Sequence, residues 1–213
     1  TAPSREVSCY DGWWERTPKR AAEGSSKVSG PGGMGVEKRL APRWRLAKFL
    51  SWYDYLSNYD GRREDHIDWQ SLGAIQRALH GIIRQEVQEL GGRANRVIVG
   101  GKSQGCCTAL DAALTYPQAL GGFVGVVGHL LSCTPVESDG PQAATPLHFF
   151  HEPEDTIMRW DWVQRGERRL REAGYRVFAR RRPDPEGHGH FVEGVEGAWI
   201  RSALRSICSP SQR

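Results

Sequence analysis

The stretch Arg96-Val97-Ile98-Val99-Gly100-Gly101-Lys102-Ser103-Gln104-Gly105-Cys106-Cys107-Thr108-Ala109-Leu110 decides the reading of this chain. A short β-branched run, a glycine-flanked serine and a helix-forming segment follow one another without a gap. That order predicts a strand, a sharp turn and a helix, with Ser103 at the apex in a G-x-S-x-G elbow. The glycines let neighbouring backbones approach where side chains would collide, so the serine projects above the sheet. The same letters, Gly101-Lys102-Ser103, would end a phosphate-binding G-x-x-x-x-G-K-S loop, but that loop needs a glycine at position 96, which holds Arg96. A serine that merely caps a helix is the remaining plain alternative.

Outward from the elbow, strand and helix signals alternate. Leu72, Ile75, Leu79, Ile82, Ile83, Val87 and Leu90 recur at helical spacing within residues 66–90, and Gly91-Gly92 supplies a stop. Strands are predicted at 96–100, 122–127, 147–151 and 175–180, and helices at 104–116, 160–173 and 195–207. Such alternation argues for a parallel sheet with crossover helices. Residues 1–40 carry Gly24-Ser25-Ser26 and Gly30-Pro31-Gly32-Gly33-Met34-Gly35 and no periodicity, so they read as an irregular leader, with one domain over 41–213. Trp44, Phe49, Trp52, Tyr53 and Tyr55 form an aromatic group expected to pack on the core.

Composition limits the function classes. Charged residues at 25% and hydrophobic ones at 38% suit a soluble globular domain, and no apolar run reaches the ~18 residues of a membrane span. The net charge of +4 comes from residues 1–63, which hold 12 Lys/Arg against 7 Asp/Glu, while the rest is near neutral. A basic leader touching nucleic acid has no fold signal behind it, so no nucleic acid and at most peripheral membrane contact is expected. Cys9, Cys106, Cys107, Cys133 and Cys208 form no CxxC pair, which speaks against a zinc ribbon or a disulfide framework and for a cytoplasmic protein with reduced thiols.

A serine hydroxyl needs a base and a carboxylate to become a nucleophile. After the strand at 147–151 the loop Glu152-Pro153-Glu154-Asp155 offers three carboxylates, of which Asp155 is best placed. After the strand at 175–180 comes Glu186-Gly187-His188-Gly189-His190, with two histidines competing for the role of base. Those histidines with His148 or His151 have no recognised metal-ligand spacing. Arg180-Arg181-Arg182 reads as a solvated strand end.

Ser51-Trp52-Tyr53-Asp54, the elbow, Leu120-Gly121-Gly122-Phe123-Val124-Gly125, Thr145-Pro146, the loop ending in Asp155 and Glu186 to His190 occur in one order. In that order the chain resembles the phospholipase/carboxylesterase family of α/β-hydrolases, which includes the acyl-protein thioesterases. The resemblance implies an α/β-hydrolase fold with a mostly parallel sheet flanked by helices. It also implies Ser103 as nucleophile, Asp155 as acid, His190 as base and the Gln104 backbone amide as an oxyanion donor. The expected activity is hydrolysis of an acyl ester or thioester, on an S-acylated protein or a lysophospholipid, without a cofactor. The family's opening strand and L-H-G-x-G loop have no clear counterpart here, so the N-terminal strand region is expected to be absent or irregular. Lys102 stands where the family has a small or apolar residue. A non-catalytic relative acting as a binding module is the alternative.

Overall fold

Four parallel strands carry the described part of the chain. A computed structural model describes residues 4–6, 48–56, 63–182, 190 and 195–209. Strand β1 (Ser4–Glu6) pairs antiparallel with β2 (Lys48–Leu50) as a separate two-stranded sheet. After a 3-10 turn at Arg63–Asp65 come α1 (Trp69–Glu89), β3 (Ile98–Lys102), α2 (Gln104–Leu114), β4 (Gly122–Val126) and β5 (Leu147–His151). They are followed by α3 (Trp160–Glu172), β6 (Val177–Arg181) and α4 (Val195–Cys208). The main sheet runs β3-β4-β5-β6, all parallel, with Ile98 opposite Gly122, Phe123 opposite Leu147 and His151 opposite Arg181. This is the predicted α/β architecture, with every predicted element present and its ends moved by no more than a few residues.

Alternation along the strands sorts the two faces. Phe123, Leu147, Phe149 and Val177 join Leu110, Ala113 and Leu170 of the flanking helices in the larger core. Val124 and Val126 on β4 and Phe150 on β5 turn the other way, toward Ile207, Ala203 and Trp199 of α4. All five residues of β4 and of β5 are buried, as central parallel strands require. Helix α1 opens on Asp68, whose carboxylate accepts from the Gln70 and Ser71 amides at 3.0 and 3.1 Å. It stops where Gly91 and Gly92 take φ of 69° and 80°, a region closed to most side chains. Its buried stripe is Leu72, Ile83 and Val87, whereas Ile82, counted on the apolar face by spacing, is 58% exposed. One position of rotation carries it round the helix, off the stripe that Ile83 occupies.

Beneath the sheet's far end, Gln142 is a fully satisfied buried amide. Its Oε1 accepts from the Leu120 amide at 3.1 Å and the Thr145 hydroxyl at 2.8 Å, and its Nε2 donates to the Tyr116 and Gln118 carbonyls at 2.9 and 2.6 Å. It joins the α2–β4 connection to the approach to β5. Of the predicted leader, only residues 4–6 are described, and they form a strand. The remainder, with Trp44, lies outside the described residues. Among the described residues, no strand pairs with the outer edge of β3.

Candidate active site

Ser103 sits between β3 and α2 with φ 57° and ψ −132°, a conformation that non-glycine residues rarely hold. The turn is tight enough that a Cβ on Gly101 would lie 2.3 Å from the Gly105 carbonyl oxygen. The Ser103 amide continues the sheet by donating to the Val126 carbonyl at 2.9 Å. Its side chain makes no capping bond to α2, so the plain helix-cap reading does not apply. The hydroxyl instead lies 2.7 Å from His190 Nε2.

His190 reaches Asp155 with its other nitrogen, Nδ1 to Oδ2 at 2.7 Å. Donation from Nδ1–H to that carboxylate leaves Nε2 as acceptor for the serine proton. Asp155 is 5% exposed, and its Oδ1 accepts from the Ile157 and Met158 amides at 2.8 and 2.9 Å. Those two bonds fix the carboxylate before the histidine arrives. The three residues singled out by sequence therefore meet from three separate loops. Among the competing groups, Glu152 is buried, and His188 lies outside the described residues.

Gln104 opens α2, so its backbone N–H has no acceptor within the helix and points out at the helix end. Its side chain does something that the sequence did not reveal. Oε1 accepts from the Trp52 amide at 2.8 Å and the Ser51 hydroxyl at 3.1 Å, while Nε2 donates to the Tyr53 carbonyl at 3.0 Å. The S-W-Y segment is thus pinned to the elbow, with the Trp52 ring against Gly105. Two motifs of the resemblance are one contact in space, 52 residues apart in sequence. Gln104→Ala keeps the backbone amide but frees this segment. It is expected to lower turnover about tenfold, at the cost of one oriented wall of the site, as steady-state kinetics on a chromogenic ester would measure.

Several other singled-out side chains have structural partners. Lys102 Nζ pairs with Glu196 of α4 at 2.8 Å, so the unusual elbow residue reaches the helix after His190. His148 stacks on Phe178 with ring centres 4.7 Å apart, and burial, with the nearby Arg176 charge, holds its pKa below the ordinary imidazole value. His151 faces Glu167 at 3.1 Å. Arg180 and Arg181 are exposed at the strand end, as expected, and Arg181, its side chain 54% exposed, also bonds Glu167 at 3.1 Å. Cys106 and Cys107 are fully buried, and burial raises the Cys106 pKa well above the usual thiol value. Among the described residues, no group of three or more His, Cys, Asp or Glu is placed to hold a metal ion, and no helix is long and apolar enough to cross a membrane.

Comparison with known proteins gives the site its context. The phospholipase/carboxylesterase family profile matches residues 46–190. Acyl-protein thioesterase 1 of Schizosaccharomyces pombe is 36% identical over 119 residues, covering 52% of this chain and 49% of that protein. The chain thus spans about half the length of that relative. Acyl-protein thioesterase 1 of Yarrowia lipolytica is 29% identical over 178 residues, covering 69% of this chain and 76% of that protein. The crystal structure of Arabidopsis thaliana SOBER1 superposes with a TM-score of 0.69 at 23% identity, over 98% of this chain and 81% of that one. That of Zea mays acyl-protein thioesterase 2 gives 0.60 at 21% identity, over 77% and 75%. These likenesses show a shared α/β-hydrolase fold, and the profile match covers more than half of the chain and reaches from before the S-W-Y segment to His190. The chain belongs to the phospholipase/carboxylesterase family.

Proposed function

We propose that this protein is a serine hydrolase of carboxylic esters or thioesters, acting through Ser103, His190 and Asp155. The observation that carries the reading is the pair of 2.7 Å contacts linking the three side chains in the order hydroxyl, imidazole, carboxylate. Ser103 Oγ attacks the acyl carbonyl while His190 Nε2 takes its proton. Asp155 holds the imidazole in the required tautomer and stabilises its cation. Negative charge on the carbonyl oxygen falls beside the first amides of α2, with the Gln104 N–H as one donor. Collapse of the tetrahedral adduct breaks the bond to the alcohol or thiol, which leaves with the proton from His190. Water then attacks the acyl-serine as His190 takes its proton, the bond from the acyl carbon to Ser103 Oγ breaks, His190 returns the proton to that oxygen, and the carboxylic acid departs. No cofactor is required.

The substrate in this reading is an S-acylated protein or a lysophospholipid, met in the cytoplasm; the relatives' name, acyl-protein thioesterase, supports the first of the two. The family match over residues 46–190 supports most of a hydrolase domain proposed over about 41–213. The test is hydrolysis of p-nitrophenyl butyrate and octanoate, with mass spectrometry of the quenched enzyme. Saturable turnover with an acyl adduct on the Ser103 peptide is expected. Folded protein giving neither would overturn the reading in favour of a non-catalytic binding module.

A further inference from the structure

Glu167, on the second turn of α3, is buried at the ends of the two strands that lead to Asp155 and His190. Its Oε1 lies 3.1 Å from His151 Nε2, the last residue of β5, and its Oε2 accepts from Arg181, the last residue of β6, at 3.1 Å. Arg171, one turn along α3, stands 3.7 Å away. Arg181 also lies over the Trp160 ring at 5.2 Å, and Trp160 opens α3 just after the acid loop. One carboxylate therefore ties β5, β6 and α3 together at the edge from which the acid loop (152–159) and the base-bearing segment depart. His151 and Arg181 are already register partners, so Glu167 locks a pair that the sheet has aligned.

We infer that Glu167 is a positioning residue for the proposed reaction: it holds the ends of β5 and β6 at the separation that keeps the Asp155–His190 bond short. The inference rests on the catalytic reading of Ser103, Asp155 and His190. Burial by itself disfavours the Glu167 charge, but the His151 bond and charge and the Arg181 guanidinium outweigh it and keep the carboxyl below the usual carboxylate range. The group is thus an anion at neutral pH, bonded to Arg181 at one strand end and 3.1 Å from the His151 ring at the other. Glu167→Gln keeps the volume and removes the charge. His151 and Arg181 then lose their common anion, and the strand ends are free to shift. A misplacement of about 1 Å near reacting groups can cost up to ~100-fold in rate.

The experiment measures the rate at which a fluorophosphonate ester phosphonylates Ser103, with loss of fluoride, from pH 5 to 9 at a temperature well below unfolding. For Glu167→Gln the rate is expected to fall about tenfold. Its acid limb should move to lower pH, because a loosened Asp155 stabilises the His190 imidazolium less. Gln142→Ala serves as control: it opens a buried hydrogen-bond hub away from the site and should lower the melting temperature while leaving the labelling rate and the limb in place. Arg181→Met keeps the inference testable if Glu167→Gln fails to fold, and a smaller shift in the same direction is expected. Wild-type labelling with an unmoved rate and limb in the variants, whatever their melting temperatures, would overturn the inference and leave the triad standing. No labelling of wild-type Ser103 would overturn the triad reading, and the inference with it.

Discussion

Ser103→Ala should lower ester hydrolysis by about 10⁴-fold or more while leaving the melting temperature nearly unchanged. Alanine and serine carry the same Cβ, so the φ of 57° at this position costs both residues alike. What the substitution removes is the oxygen 2.7 Å from His190 Nε2. The Gln104 amide and the rest of the site remain, so any residual rate reports oxyanion stabilisation and binding alone. The check is steady-state kinetics on p-nitrophenyl octanoate beside a thermal melt. Turnover in the variant within tenfold of wild type would mean that another group supplies the nucleophile, and the elbow serine would lose its role.

Glu64→Ala is expected to have the largest effect on stability, a loss of about 3–5 kcal/mol. Glu64 is 1% exposed, accepts from the Tyr53 hydroxyl at 3.0 Å, and stands 3.5 Å from His129 Nε2, itself 2% exposed. Removing it strands a buried phenol and a buried imidazole together. Burial alone opposes a charge on His129, but the Cys107 sulfur and the Glu64 carboxylate against it raise its pKa well above the ordinary value. A raised folded-state pKa means that the proton is held more tightly in the folded protein. The stabilisation is therefore complete below about pH 6.5, the unfolded value, and is lost as pH rises through the folded one. The Tyr53 and Tyr55 hydroxyls face the same carboxylate, and burial, then the Glu64 charge, holds both well above the usual phenol range. They stay neutral across that window, which leaves His129 as the titrating group. Scanning calorimetry from pH 6 to 9 should show a wild-type melting temperature that falls with pH and a Glu64→Ala curve that is lower and flatter. A variant within about 1 kcal/mol of wild type at every pH would refute the pairing.

Ser103, Asp155 and His190 were legible as neighbours because each follows a strand that its own composition marks, so chain order alone put them on one edge of the sheet. The β-branched run before Gly100 and the buried strand at Gly122–Val126 needed no partner to be read. Asp155 was preferred over Glu152 and Glu154 by its place in the loop and by the family register; the backbone amides of Ile157 and Met158, which single it out physically, leave no mark in the sequence. Glu64, Glu167 and the Gln104 side chain escaped notice for a common reason. Their partners lie on other elements, as with Glu64 to His129 and Glu167 to Arg181, and one sequence carries no signal for such pairs. Arg181 is exposed, as three successive arginines suggest, but the buried anion that also pairs with it lies on a helix and left no mark in the sequence. The irregular leader falls mainly in residues outside those described.

The contacts that join Ser103, His190 and Asp155 span 87 and 35 residues of chain. Closing such spans requires β3, β5 and β6 to be in register first, and parallel strands pair only after the intervening helices have crossed over. In the proposed reading, reactivity at Ser103 is therefore a late product of folding, and a nascent or half-folded chain would display the same serine with no more nucleophilic power than any other hydroxyl.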